Sequence, residues 1–351
     1  MTLTMRRPHK AGGQAQRPQP AAGQARELVV RARLFRPNER PVDIEEPAWA
    51  ERCAEPGNLL WVDLEAPSQD DLVRVFHIFN VDPRAAALAR SVKRRPIIRA
   101  FDDQLLVTLL SFQVDEGQRS PRIRVVEVDL LIGPQFIISV HRRALPFADE
   151  LAERTLATPR RARVDCTALL YLFLDTLVAA YGRELDQVER RVEQLQLMLL
   201  REPGRKALDD AILMTRHVQT LRRLVSPHSE LLATLLTVDS PSLQPMNMET
   251  NFRDALSQVR SLVAHLDHTR DMVTGGYTLY ISNVSFRTNE QLKVLTVLSA
   301  ILLPTTLITG VFGTNFKLAE YESWQPFYVM LVGMGAIAWS MLLFFRWRRW
   351  L

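Results

Sequence analysis

Cysteine is nearly absent: Cys53 and Cys166 are the only two in 351 residues, and they form no CxxC pair. That excludes a disulfide framework and a thiolate metal cluster, and the bulk of the chain reads as cytosolic. No phosphate-binding P-loop, Gly-x-Ser-x-Gly or His-Glu-x-x-His occurs. ATP-driven transport and hydrolase chemistry therefore lack a candidate site, no catalytic residue is assigned, and the chain is read as no enzyme. Residues 1–26 have no apolar stretch of the kind a secretory signal needs. They also have no acidic residue, yet carry Arg6, Arg7, Lys10, Arg17 and Arg26. Those five charges equal the net charge of the whole chain, +5, so the remainder sums to zero. Such a Gln-, Pro-, Ala- and Gly-rich head reads as a disordered, solvated basic tail, and no nucleic-acid partner is expected of it.

What is present begins with β-formers. Residues 27–35 (ELVVRARLF) and 58–64 (NLLWVDL) read as strands, as do 96–100, 105–113 and 125–132, and 135–141 (QFIISVH) reads as the hairpin partner of the last. Ser68 with Asp70 and Asp71 marks a helix start leading into Leu72–Phe79. This mixture predicts an α/β domain over 27–150. A helical region follows over 151–248, with long amphipathic helices at 166–200 and 206–225. From about Glu249 the helical pattern runs without proline to Pro304. Continued to Asn315, it makes roughly 65 residues and about 100 Å at ~1.5 Å per residue, which implies a bundled stalk over 249–293.

Two runs decide the class. Residues 294–316 and 323–345 contain no charge, 23 residues each. Each spans roughly 34 Å as a helix against a hydrocarbon core of about 30 Å, so both read as transmembrane. The connecting loop, 317–322, sums to −1, and the tail 346–351 carries Arg346, Arg348 and Arg349. Arginine and lysine excess marks the cytoplasmic side. The expected topology is multi-pass in the inner (plasma) membrane, among its lipids, with both termini cytoplasmic.

The first membrane helix has two unlike faces. Asn289, Leu292, Thr296, Ser299, Leu303, Thr306, Gly310 and Gly313 recur at alternating spacings of three and four, one stripe of small or hydroxylated residues with leucines at intervals. The opposite positions are richer in Val, Ile, Leu and Phe. The stripe fits close helix packing, with small residues and hydroxyls as glue. It equally fits a pore wall, with rings of oxygens separated by leucine rings that close by dewetting.

The end of that helix, "TGVFGTNF", resembles the Gly-x-Asn signature of the CorA/ZntB-type metal-ion transporter superfamily, here Gly313–Thr314–Asn315. The likeness extends to "NEQLKVLTVLSAILLPTTLITGVFGTNF" over 289–316, to "FRD" at 252–254 and "SNVSFRTNE" at 282–290 in the stalk, and to "NLLWVDLEAP" and "QFIISVHRRAL" in the α/β domain. It implies a funnel-shaped homopentamer: an α/β cytosolic domain, a long α-helical stalk continuing into the pore helix, and a second transmembrane helix outside. It implies passage of a divalent cation, Mg²⁺, Zn²⁺, Co²⁺ or Ni²⁺, as cargo with no resident cofactor. Asn315 then lines the outer mouth, where a ring of carboxamides holds the ion's hydration shell, and Gly313 allows close backbone approach. Asn289 matches a polar inner ring, Leu292, Leu295 and Leu303 match apolar constrictions, and Thr306 and Gly310 match pore positions. Pro304 matches a proline that frees a backbone carbonyl.

The departures from the family point in one direction. Thr314 stands where the Mg²⁺ branch has methionine, and "KLAEYE" follows Asn315–Phe316, with Lys317 in place of an acid. Asp254 matches a regulatory metal ligand, but Ala87 and Leu88 occupy the likeliest positions of its partner acids. Closure by intracellular Mg²⁺ is expected to be weakened or absent, which leans the resemblance toward the zinc-type branch or a related one. The stripe holds no carboxylate or histidine, which argues against a proton relay inside the helix. His265, Asp267 and His268 have a spacing able to share a metal but read as a solvated helix face. Gly275–Gly276 could hinge the stalk but reads as close helix packing, and "KRRP" at 93–96 could bind phosphate but reads as a solvated charge run. A membrane-anchored, non-conducting sensor of the same fold is the alternative function.

Overall fold

The structure, a computed structural model, describes residues 29–115, 122–157, 164–201, 204–238, 240–243, 248–313 and 324–348. The predicted basic head, the loop 317–322, Thr314 and Asn315 lie outside the described residues.

A seven-stranded sheet organises the first half. Its strands are β1 (Val29–Phe35), β2 (Val42–Asp43), β3 (Leu59–Glu65), β4 (Ile97–Phe101), β5 (Gln104–Asp115), β6 (Arg122–Ile132) and β7 (Phe136–His141), in spatial order β2-β1-β3-β7-β6-β5-β4. The β3–β7 pair is parallel and every other pair antiparallel. Alternating residues of the central strands point to opposite, equally covered faces. Leu60, Val62 and Leu64 of β3 meet Ile138 and Val140 of β7 on one side, over α1 (Trp49–Ala54), α2 (Gln69–Ile78) and α3 (Pro83–Arg90). Leu59 and Trp61 of β3 join Val128, Leu130 and Ile132 of β6 on the other, against the helices that follow. Burial on both faces is why these strands read as continuous apolar runs.

Local signals set the shorter helices. Ser68 caps α2 in a capping box: its Oγ accepts from the Asp71 N–H at 3.1 Å, and Asp71 Oδ2 accepts from the Ser68 N–H at 3.0 Å. This stabilises the helix start by about 1 kcal/mol. Asp82 caps α3, with Pro83 at its first position.

The second half is a helix bundle. It comprises α4 (Ala148–Ala157), α5 (Cys166–Arg201), α6 (Arg205–Val225), α7 (Pro227–Leu235), α8 (Glu249–Gly313) and α9 (Gln325–Trp347). α5 runs alongside α8 in the same direction: Tyr171 meets Phe252 edge-on at 5.9 Å, Gln196 Nε2 donates to Met272 O at 2.9 Å, and Asn283 Nδ2 donates to Leu200 O at 3.2 Å. α6 is tied to α8 by Arg222 Nε donating to Asp267 Oδ1 at 2.6 Å. One core runs from the sheet into this bundle, with Trp61 packed edge-on against Phe173 of α5 at 5.4 Å. Such an aromatic pair adds about 0.5–1.5 kcal/mol beyond its burial.

One seam between sheet and bundle is polar. β4 begins only at Ile97, which pairs with Thr108, so Leu110 of β5 has no strand beside it on that edge. Its N–H donates instead to His228 Nε2 at 3.3 Å, and its carbonyl accepts from the Tyr181 hydroxyl. His228 Nδ1 is 2.9 Å from Leu224 O, which fixes the neutral tautomer with the proton on Nδ1. Burial lowers the His228 pKa to about 4.

Candidate functional site

The reading of one continuous helix agrees with the structure: α8 is unbroken over 65 residues from Glu249 to Gly313, with Pro304 inside it. The apolar windows of α8 and α9 both have a mean hydropathy of 2.0 and are left largely uncovered by the rest of the chain. Length and composition suit both to crossing a bilayer.

The two helices pack together. In the last third of α8 the covered or half-covered positions include Val297, Ile301, Pro304, Thr305 and Ile308, spaced three and four apart on one face. At 100° per residue, that face lies roughly opposite the stripe. Asn289, Leu292, Thr296, Ser299, Leu303, Thr306, Gly310 and Gly313 are all exposed, Leu303 at 69%. Leu295, also exposed, borders the same side. A Cβ added at Gly310 or Gly313 would meet nothing within 4 Å. The small residues are thus not there to admit α9.

The stripe's chemistry is that of weak oxygen donors. Thr296 Oγ1 donates to Leu292 O at 2.7 Å, and Thr306 Oγ1 donates to Leu302 O at 2.8 Å. With each proton spent on its own helix, the hydroxyl presents lone pairs outward. Pro304 has no N–H, so the carbonyl four residues earlier, at Ala300, is released from the helix ladder. Neutral oxygens of this kind suit a hydrated cation that has to move on.

Asp254 lies exposed near the start of α8, and Ala87 is exposed on α3. Among the described residues no group of three or more His, Cys, Asp or Glu is placed to hold a metal ion. Two of the His265, Asp267 and His268 trio have other partners: Asp267 pairs with Arg222, and His265 Nδ1 lies 3.7 Å from Glu189 Oε1. Of the two stalk glycines, only Gly276 packs closely; a Cβ there would lie 3.4 Å from Gln196 Cγ and Leu199 Cδ1, whereas Gly275 faces open space. The "KRRP" run is not simply solvated. Lys93 is 7% exposed, its Nζ 2.6 Å from Asp129 Oδ2 and 3.2 Å from Glu127 Oε1. Burial raises the Asp129 pKa to about 6 against the pull of that lysine.

Sequence reasoning passed over His228 and Tyr181, which finish the sheet edge. Pro96, immediately before β4, was the available signal that the strand stops short.

The comparisons with known proteins agree with this architecture. A cobalt/magnesium transport protein CorA of Thermotoga maritima is 27% identical over 296 residues, covering 83% of each chain. The complete structure of the CorA magnesium transporter from Methanocaldococcus jannaschii superposes with a TM-score of 0.77 at 17% identity, covering 91% of this chain and 97% of that one. The full-length CmaX protein superposes with a TM-score of 0.73 at 15% identity, covering 94% and 100%. The family model described as CorA-like Mg2+ transporter protein matches residues 56–349, from the sheet through both apolar helices, and the chain belongs to that family.

Proposed function

We propose that the chain forms a homopentameric divalent-cation transporter or channel in the inner (plasma) membrane, with the ion passing along the α8 stripe. One observation carries this reading: α9 packs on the Val297, Ile301 and Ile308 side of α8 and leaves the stripe of small and hydroxylated residues bare along its whole length, with Leu298, Leu302 and Leu307 bare as well. A bare polar stripe in lipid is costly, and copies arranged around an axis would enclose it. The exposed Tyr277, Ile281 and Phe286 of the stalk, at or beyond the reach of α5, ask for a neighbouring copy as well.

In this arrangement Asn315 and Thr314 ring the outer mouth beside Gly313. Thr306, Ser299, Thr296 and Asn289 supply oxygen rings inward, and Leu303, Leu295 and Leu292 close the path by dewetting when dry. The arginines after α9 put both termini on the cytoplasmic side. The names of the family and of its cobalt/magnesium relative make Mg²⁺ and Co²⁺ the first cargoes to test. Thr314, Lys317 and the non-acidic Ala87 and Leu88 keep Zn²⁺ and Ni²⁺ beside them, and gating through Asp254 alone would be weak.

The test is flux into liposomes loaded with a metal-sensitive dye, each ion compared with and without a pH gradient. Asn315→Ala should lower flux by roughly tenfold to a hundredfold, as expected for losing hydrogen bonds to a charged, hydrated ion. Assembly size should stay unchanged. Absence of flux for all four ions from intact pentamers would leave the non-conducting sensor in its place.

A further inference from the structure

We propose that the α/β region binds a phosphorylated small molecule of about mononucleotide size, in a pocket of about 400 Å³ beside the β5–β6 ladder. Two turns far apart in sequence line it with arginines: Arg94 from the segment after α3, and Arg142 and Arg143 from the segment after β7. Among the described residues none of the three has a carboxylate partner; Arg142 Nη2 donates to the Arg90 carbonyl at 3.2 Å. Glu127 also lines the pocket, sharing Lys93 with Asp129, so the three arginines still outnumber the acid. Its Oε2 accepts from the Lys93 N–H at 2.8 Å, and its Oε1 is 3.2 Å from Lys93 Nζ. The concave surface is therefore left cationic.

The pocket is built rather than incidental. Lys93 is buried and pinned at both its N–H and its ammonium, which fixes the turn that presents Arg94. His141 Nδ1 lies 2.6 Å from Arg143 O, and His141 Nε2 lies 3.0 Å from Asp63 Oδ1, which fixes the turn after β7. The site lies beyond the carboxyl end of β7, a strand of the parallel pair, where open α/β sheets hold ligands.

Guanidinium forks from three arginines suit the several oxygens of a phosphate better than a single carboxylate. Apart from Lys93 and Glu127, the rest of the lining is apolar, with Leu110, Val126 and Leu224 among it. The volume falls in the range of small-ligand sites and exceeds what a bare oxyanion fills. Phosphate therefore supplies the charge and an organic body fills the floor. Leu224 belongs to α6, which packs on α8, so an occupant would bear on the long helix.

The experiment is calorimetric titration of the full-length protein in detergent with AMP, UMP, adenosine and inorganic phosphate. AMP or UMP should bind below about 1 mM, with adenosine and phosphate each at least about tenfold weaker. Arg94→Gln with Arg143→Gln should weaken the nucleotide at least about tenfold without changing assembly size or thermal midpoint, while the distant Arg216→Gln should leave binding unchanged. Raising salt should weaken binding. No binding of either nucleotide, binding indifferent to the paired substitution, or phosphate binding as tightly as the nucleotides would each overturn the assignment.

Discussion

His228→Gln should flatten the acid sensitivity of the fold. In the native protein His228 is buried as a neutral ring whose Nε2 accepts the Leu110 N–H and whose Nδ1–H donates to Leu224 O. Protonation would place a second proton on Nε2, facing a donor, inside the seam. Burial lowers its pKa from 6.5 to about 4, against the pull of the Leu224 carbonyl. A histidine whose pKa is lower folded than unfolded contributes stability that is complete above the unfolded value and lost as pH falls toward the folded one. The window here is pH 6.5 down to about 4. The full gap corresponds to about 3 kcal/mol, of which about 2 kcal/mol is lost by pH 5. Denaturant unfolding of the full-length protein in detergent, followed by far-UV circular dichroism at pH 7.5 and pH 5, measures it. His141 shifts the opposite way: burial lowers its pKa, but Asp63 and the Arg143 carbonyl outweigh that and leave it raised. The quantity to read is therefore the difference between wild type and His228→Gln, in which His141 cancels. Glutamine keeps an acceptor and a donor and should cost about 1 kcal/mol at pH 7.5. Its unfolding energy should then fall about 2 kcal/mol less than wild type on going to pH 5. Parallel pH profiles for the two proteins would refute the reasoning.

The stalk glycines should separate in the same assay. Gly275→Ala adds a Cβ into open space and should stabilise the single-chain fold by about 0.5–1 kcal/mol, whereas Gly276→Leu should drive α8 away from Gln196 and Leu199 and cost about 1–3 kcal/mol. The thiols of Cys53 and Cys166, pushed by burial to about 11 and about 12, should resist maleimide at pH 7.5 in the folded protein and react once denatured. Prompt labelling of Cys166 in the folded state would mean that the seam between β7 and α5 opens readily.

The long elements were legible because nothing in their sequence competes. Glu249 to Gly313 has one proline and a sustained helical pattern, and it is one helix. Gln135–His141 and 125–132 are mostly apolar because both faces of the sheet are covered, and they pair as expected. The Ser68 start held because the capping box is local. Short elements escaped for the opposite reason. α7 spans nine residues, and only Pro227 at its start announces it; its stability comes from Leu231, Leu232 and Leu235 packing into the shared core. The same holds for α3, despite the Asp82–Pro83 start signal. At the candidate site, the stripe was visible as a period in the sequence. Which side of it α9 takes was not, because Val297, Ile301 and Ile308 are no greasier than Leu292 or Leu303. The Lys93 cluster was misjudged as solvated because its partners, Glu127 and Asp129, are distant in sequence and arrive only through the sheet.

The unbroken α8 also sets a mechanical scale. From Glu249 to Lys293 it runs for about 66 Å at ~1.5 Å per residue. Asn289 lies about 60 Å along that rod, so a tilt of about 3° at its base becomes a lateral swing of about 3 Å there, by simple leverage on that rise. Such a swing is comparable to the diameter of a water molecule. In the pentamer proposed above, a rearrangement in the α/β region too small to disturb its packing would suffice to decide whether neighbouring Leu292 side chains touch or part.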